Sequence, residues 1–161
     1  MAIYLAIDLG TTGCRSILFD QQLRQLAVAY EEYGLITPKE KWTEQDAELW
    51  WTLTLKTAKN AIARSGVSSE EIKAISVSSQ GITIVPVDRD VRPLCNALSW
   101  LDVRAEEETA RIKKDLSAET VYRVNGKPLS ATYTLPKLLW IKAHLPEVYE
   151  KAYKFLMRTN V

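Results

Sequence analysis

Apolar positions come first in short strand-like bursts and then switch to helical spacing. Ile3-Tyr4-Leu5-Ala6-Ile7 reads as a buried strand and Arg15 to Phe19 as a second; Leu26-Ala27-Val28-Ala29-Tyr30 follows as a third, beyond the polar turn Asp20-Gln21-Gln22. Short turns between them predict an antiparallel three-stranded meander, followed by the polar loop Pro38-Lys39-Glu40-Lys41. Asp46 is placed to cap a helix over Ala47–Ser65, because its carboxylate can accept from first-turn N–H groups, and Gly66 sits just past the end. Leu49, Leu53, Ala58, Ala61 and Ile62 keep helical spacing and predict its packed face. Ser69-Glu70-Glu71 leads into a strand at Ala74 to Ser78, and another is predicted at Ile82 to Val87. From about Val103 to Leu116 the chain reads as a charged helix, acidic early and basic late, as the macrodipole favours. Pro136 suits the first turn of a short helix through Ile141, and a further helix is predicted from Pro146 to Tyr153. Phe155-Leu156-Met157 reads as a strand just beginning, near the last residue, Val161. The fold class is α/β, a mixed sheet with an antiparallel three-stranded start flanked by helices.

Composition narrows the function classes. A chain of 161 residues can bury one real core, and its net charge of +1 gives no field that would draw nucleic acid or an anionic membrane. No apolar run approaches the roughly 20 residues of a membrane helix. Ala2 to Ile7 lacks a basic flank and stops at Asp8, unlike a signal peptide. Cys14 and Cys95 have neither metal-ligand spacing nor a disulfide framework, so both read as packed small residues of a reduced, cytoplasmic protein.

The stretch Asp8-Leu9-Gly10-Thr11-Thr12-Gly13-Cys14-Arg15-Ser16 asks for a chemical explanation. A Walker loop needs a Lys after its glycines, and none occurs before Lys39; the GxGxxG spacing of dinucleotide folds is absent too. Here the glycines sit between two strands. Such a hairpin can turn backbone N–H groups and the Thr11 and Thr12 hydroxyls toward a phosphate, and Gly10 admits an anion close to the backbone. Asp8 could hold Mg²⁺ through water, and Arg15 could stabilise a transferring phosphoryl group. The plainer alternative is a turn closed by an Asx-type hydrogen bond.

The whole string resembles the first phosphate motif of the actin, heat-shock chaperone and sugar-kinase superfamily. Trp42-Thr43-Glu44-Gln45-Asp46 with Trp50-Trp51 resembles a tryptophan-rich pattern of FGGY carbohydrate kinases. So do Ser78-Ser79-Gln80-Gly81, Val87-Asp88, Asn96 through Arg104 and Pro136 through Trp140, in family order along nearly the whole chain. The resemblance implies an ATP-dependent kinase that moves the γ-phosphoryl group to a sugar or polyol hydroxyl, with ATP and Mg²⁺ as cofactors. It implies two ribonuclease H-like (actin-like ATPase) lobes, with residues 1–161 a partial N-terminal lobe and the nucleotide-binding C-terminal lobe absent. Asp8 would serve the metal, and Gly10, Thr11, Thr12 and Arg15 the phosphates. Gln80, Gly81, Trp100 and Asp102 would face the sugar, with Thr132 and Tyr133 nearby.

Each of these residues also has a structural reading. Trp42, Trp50, Trp51 and Trp140 read as core or helix anchors. Trp100 is either a cleft wall or a sugar platform, and Asp102 either a sugar ligand or the N-cap of the next helix. Arg104 would brace that helix, and His144, at a helix end, is not expected to catalyse. Gly81-Ile82 replaces the charged pair that follows the Gln in glycerol kinases, so glycerol is not expected; the spacing Trp100-Leu101-Asp102-Val103-Arg104 resembles the xylulokinase and gluconokinase side of the family, which implies a ketose or sugar acid. The family's catalytic Asp is expected beyond Val161, so the chain alone is expected to be inactive. The alternative is a non-catalytic sugar- or phosphate-binding or dimerisation module, and a homodimer or looser self-association is expected. A third reading, a piece of an actin- or chaperone-like ATPase, is opposed by the tryptophan-rich and sugar-side segments.

Overall fold

The computed structural model describes residues 2–157, which form two compact units. The first comprises residues up to Leu35 together with Asp46–Gln80, and the second Ile36–Gln45 together with Gly81 onward. Val161, beyond which the family's catalytic Asp is expected, lies outside the described residues.

In the first unit β1 (Ile3–Leu9), β2 (Gly13–Phe19) and β3 (Gln25–Glu32) form the expected antiparallel meander. Asp20 closes the second turn by accepting from the Gln22 and Arg24 N–H groups. A parallel strand, β5 (Ile72–Ser79), pairs with the other side of β1, giving the order β3-β2-β1-β5. The alternation is strict on β1: Ile3, Leu5, Ile7 and Leu9 are buried while Asp8 is exposed. Opposite them Leu18, Ser16 and Cys14 are buried as well, so one face of the sheet is apolar with a single hydroxyl in it.

Helix α1 (Ala47–Ser65) covers that face, packing on β2 and β3. Its ends are those read from the sequence: Asp46 accepts from the Glu48 and Leu49 N–H groups, and Gly66 adopts φ 69°. The packed stripe is rotated from the predicted one, running through Ala47, Trp50, Leu53, Thr57 and Ala61 and leaving Leu49 exposed. Thr57 explains the shift. Its hydroxyl lies 2.8 Å from Ser16 Oγ and 3.5 Å from Cys14 Sγ, satisfying the polar atoms in the sheet's apolar face. Trp51, expected as a packing residue, is instead 63% exposed.

The second unit holds a separate antiparallel sheet in the order β4-β7-β6-β8, built from β4 (Glu44–Gln45), β6 (Ile84–Val87), β7 (Ala97–Leu98) and β8 (Lys154–Met157). The strand expected from Ile82 therefore starts two residues later, belongs to a different sheet from β1, and pairs with the strand expected at Phe155. Helices α2 (Glu106–Leu116), α3 (Ala118–Asn125), α4 (Thr134–His144) and α5 (Pro146–Lys151) follow; α2 begins later than expected and α3 was not expected. Ile84, Leu98, Ala105, Trp140 and Ile141 form this unit's core, with Trp42, Leu138 and Phe155 packed against it. Among the described residues no helix is long and apolar enough to cross a membrane.

Because Asp46 supplies two capping bonds on one carboxylate oxygen, Asp46→Ala is expected to lower stability by about 1 kcal/mol. Urea unfolding followed by circular dichroism checks it; an unchanged midpoint would show that the cap contributes nothing.

Candidate functional site

The expected site residues divide between the units. Asp8, Gly10, Thr11, Thr12, Arg15 and Gln80 belong to the first, and Gly81, Trp100 and Asp102 to the second.

In the first unit the β1–β2 turn gathers its six. Gly10 N–H donates to the Gly13 carbonyl at 2.9 Å, the Gly10 carbonyl accepts from the Tyr33 hydroxyl, and Tyr33 N–H donates to the Thr12 carbonyl at 3.0 Å. Neither glycine of the turn has a positive φ; their role is close approach. A Cβ on Gly10 would stand 3.3 Å from the Gly13 carbonyl oxygen, and one on Gly13 would run into the Tyr30 side chain, 2.4 Å from its hydroxyl and 2.5 Å from its ring. Gln80 is drawn to the same end of the sheet, its N–H donating to the Leu9 carbonyl at 3.2 Å.

Strand register does the rest. Ser78, Asp8, Arg15 and Tyr30 are successive partners across β5, β1, β2 and β3, so they form one row on the face opposite α1. Arg15 stacks over the Tyr30 ring at 5.3 Å, and Asp8 and Arg15 are both exposed. An acid and a base beside a turn of backbone donors can hold a hydrated cation and an anion side by side.

In the second unit Gly81, Ile82 and Thr83 make a three-residue turn, closed by the Thr83 N–H on the Gly81 carbonyl at 2.8 Å with Ile82 at φ 70°. A β-branched residue there is strained, and sequence reasoning gave no signal for it. The turn aims the buried Thr83 hydroxyl at the Trp100 N–H, 3.1 Å away. Trp100 itself is 39% exposed.

Asp102 departs from both expectations. It is fully buried, and α2 begins with Ala105 as its N-cap, so Asp102 neither caps that helix nor presents an oxygen to solvent. Its carboxylate accepts from Thr43 N–H at 2.7 Å and from Arg104 Nε at 2.9 and 3.0 Å. Arg104 Nη2 lies 2.8 Å from Asp102 and 2.7 Å from Glu44, which in turn accepts from the Asn96 amide. The guanidinium carbon lies 3.9 Å from the Trp42 ring centroid and 4.8 Å from that of Trp140, and those two rings meet edge to face. Arg104 thus braces the loop and two indoles rather than the helix.

Lys137 on α4, assigned no role from the sequence, is fully buried and donates from Nζ to the Ser99 carbonyl at 2.5 Å. Burial lowers its pKa to about 8, an effect Asp102 opposes and Arg104 increases. Its only sequence signal is a Lys within an otherwise apolar helical run. Both cysteines are packed as expected. Cys14 is buried against Thr54 and Thr57, and burial together with the Glu44 charge pushes the Cys95 thiol up to about 11.

The model of the FGGY family of carbohydrate kinases, N-terminal domain, matches residues 3–161. A glycerol kinase of Treponema denticola is 34% identical over 93% of this chain and 30% of its own length. A xylulose kinase of Bacillus subtilis is 32% identical over 98% of this chain and 31% of its own. The crystal structure of a gluconate kinase from Lactobacillus acidophilus superposes with a TM-score of 0.88 at 27% identity, over 96% of this chain and 31% of that one. The chain therefore spans about 30% of the curated relatives it matches. The similarity to a glycerol kinase removes support for the expectation against glycerol.

Two outcomes follow from the buried charges. Arg104→Met strands two carboxylates, and a loss of about 3–5 kcal/mol is expected in denaturant titration; a change below 1 kcal/mol would refute the brace. In the window from about 8 to the ordinary 10.5, the unfolded chain keeps the Lys137 proton that the folded chain has released. Stability through this group therefore rises with pH across that window. The urea midpoint of the unaltered chain minus that of Lys137→Met should rise from pH 7.5 to 9.5, and a flat difference would contradict the lowered pKa.

Proposed function

This chain belongs to the FGGY family of carbohydrate kinases, and from that premise we propose that it supplies the first phosphate loop and sugar-side residues of an ATP-dependent kinase acting on a sugar or polyol hydroxyl. The observation that carries the proposal is the β1–β2 turn, where Asp8, the Gly10–Gly13 backbone and Arg15 converge beside Gln80. Gly10, Thr11 and Thr12 line the phosphates, and Arg15 places positive charge where negative charge gathers in transfer.

Asp8 fits Mg²⁺ as a partner through water. It is a single exposed carboxylate, and among the described residues no group of three His, Cys, Asp or Glu could enclose a metal. That suits a cation that keeps most of its hydration and takes its other ligands from the phosphates. When bound, Mg²⁺ would neutralise charge on the phosphates.

On the substrate side, Trp100 offers an apolar face to a sugar ring, and Gln80 and Gly81 offer amide groups to hydroxyls. Asp102 serves indirectly, by fixing Arg104 and the loop. The relatives, kinases of glycerol, xylulose and gluconate, leave the substrate among polyols and sugars, with a ketose or sugar acid proposed from the Trp100-Leu101-Asp102-Val103-Arg104 spacing. The general base, a catalytic Asp, is proposed to lie beyond Val161. Self-association is part of the proposal: β5 is an edge strand whose Ile75 and Val77 are 62% and 55% exposed, an open template for pairing.

A coupled ATP assay on a kinase of the relatives' length that carries this chain as its N-terminal part, run with a polyol and sugar panel, tests the reading. Turnover with at least one member is expected, and none from residues 1–161 alone. Asp8→Asn should cost roughly 10–100-fold in activity, as loss of a metal's outer partner does. Trp100→Ala should raise the sugar KM about tenfold. Full activity of both variants would refute the assignment.

A further inference from the structure

The residues around Trp100 have no strand or helix of their own to fix them, because β7 ends at Leu98 and α2 begins only at Glu106. Hydrogen bonds do so instead. Leu101 N–H reaches Ser99 Oγ, and Trp100 N–H reaches Thr83 Oγ1. The Ser99 carbonyl, one peptide before the indole, accepts twice: from Asp102 N–H at 3.0 Å and from Lys137 Nζ.

Lys137 is an expensive way to satisfy a carbonyl. A Lys is rarely buried completely, and an ammonium out of water costs far more than the methyl of a Leu or Met in the same helix position. Its neighbours Pro136, Trp140 and Ile141 on α4 are buried apolar residues, so an aliphatic side chain would suit the helix's packing. What an aliphatic side chain lacks is a donor.

We infer that Lys137 is a positioning residue for substrate recognition: reaching from α4, its ammonium clamps the Ser99 carbonyl and so sets the direction of the Trp100 indole. The inference rests on the proposed sugar-facing role of Trp100. The geometry supports it from both sides of the indole's own peptide. Thr83, placed by the strained turn at Ile82, holds the Trp100 N–H, while Lys137 holds the carbonyl of the residue before it. The charges that act on the ammonium are Asp102, which attracts it, and Arg104, which repels it; both are fixed in the same buried network. Lys137 is therefore tied to the network that closes the other end of the loop, and the indole is suspended between the two.

The test uses Lys137→Met, which keeps an unbranched stem one atom shorter and removes the donor. Hydrogen exchange by mass spectrometry on the 161-residue chain is expected to show the Trp100 and Asp102 amides exchanging at least about tenfold faster, with β6 and α4 unchanged. Uniform loosening of the second unit, or no change at residues 99–102, overturns the clamp. Should that variant fail to fold, the unaltered chain answers by ¹⁵N detection of its lysine ammonium groups. A Lys137 signal protected from exchange at pH 7 supports the clamp, and one indistinguishable from the surface lysines overturns it. In the longer kinase the same substitution is expected to raise the sugar KM at least tenfold while kcat stays within about threefold; a purely structural defect would lower kcat as well. Faster local exchange with an unmoved KM would leave the clamp standing and overturn the sugar role of Trp100.

Discussion

A guanidinium withdrawn almost wholly from water governs the second unit. Arg104 cannot lose its proton, so the fold must surround it with compensating groups. Two carboxylates meet its N–H groups and its central carbon lies over two indole rings that meet each other edge to face, the partners coming from several places in the chain. Glu44 belongs to β4, Trp42 to the loop before it, Asp102 to the Trp100 loop and Trp140 to α4. One side chain thereby fixes strand, loop and helix together. The desolvation cost makes the arrangement all-or-none: the network is stable complete and strongly unfavourable with one member missing.

The first unit is organised by a different constraint, the two-sidedness of its sheet. On the helix side, buried aliphatic residues admit only the hydroxyl and thiol that Thr57 can satisfy. On the other side, the same strands carry a row of polar and aromatic groups whose order is fixed by pairing alone. Stability and chemistry are separated by the pleat, so residues one apart in sequence serve different ends.

Local signals were the ones legible in the sequence. The capped helix from Ala47 to Ser65 and the meander before it are written in nearest-neighbour terms, and the structure repeats them. The second sheet was not legible, because β4 and β7 are two residues long and exist only through pairing with distant segments. Asp102 misled for the same reason. Asp before a charged helix reads as a cap, and nothing in its neighbourhood announces a bond to Thr43, 59 positions away. Trp51 and Leu49 show the limit of periodicity: a polar Thr57 inside the packed stripe turned the helix away from the most hydrophobic register. The residues of the β1–β2 turn were recognisable as a pattern, whereas the turn at Ile82 and the buried bond of Lys137 depend on contacts that no short motif encodes.

The direct opposition of Asp8 and Arg15 across the first hairpin also bears on how this loop can vary. Only Thr11 and Thr12 separate the paired glycines, and the pleat has a period of two. Gaining or losing one residue there would shift β2 by half a period, sending the Arg15 guanidinium toward the helix and the Ser16 hydroxyl out into solvent. The turn therefore works as a ruler. Related chains can exchange side chains at these positions, but insertions and deletions should be confined to other connections, such as the loop after β3.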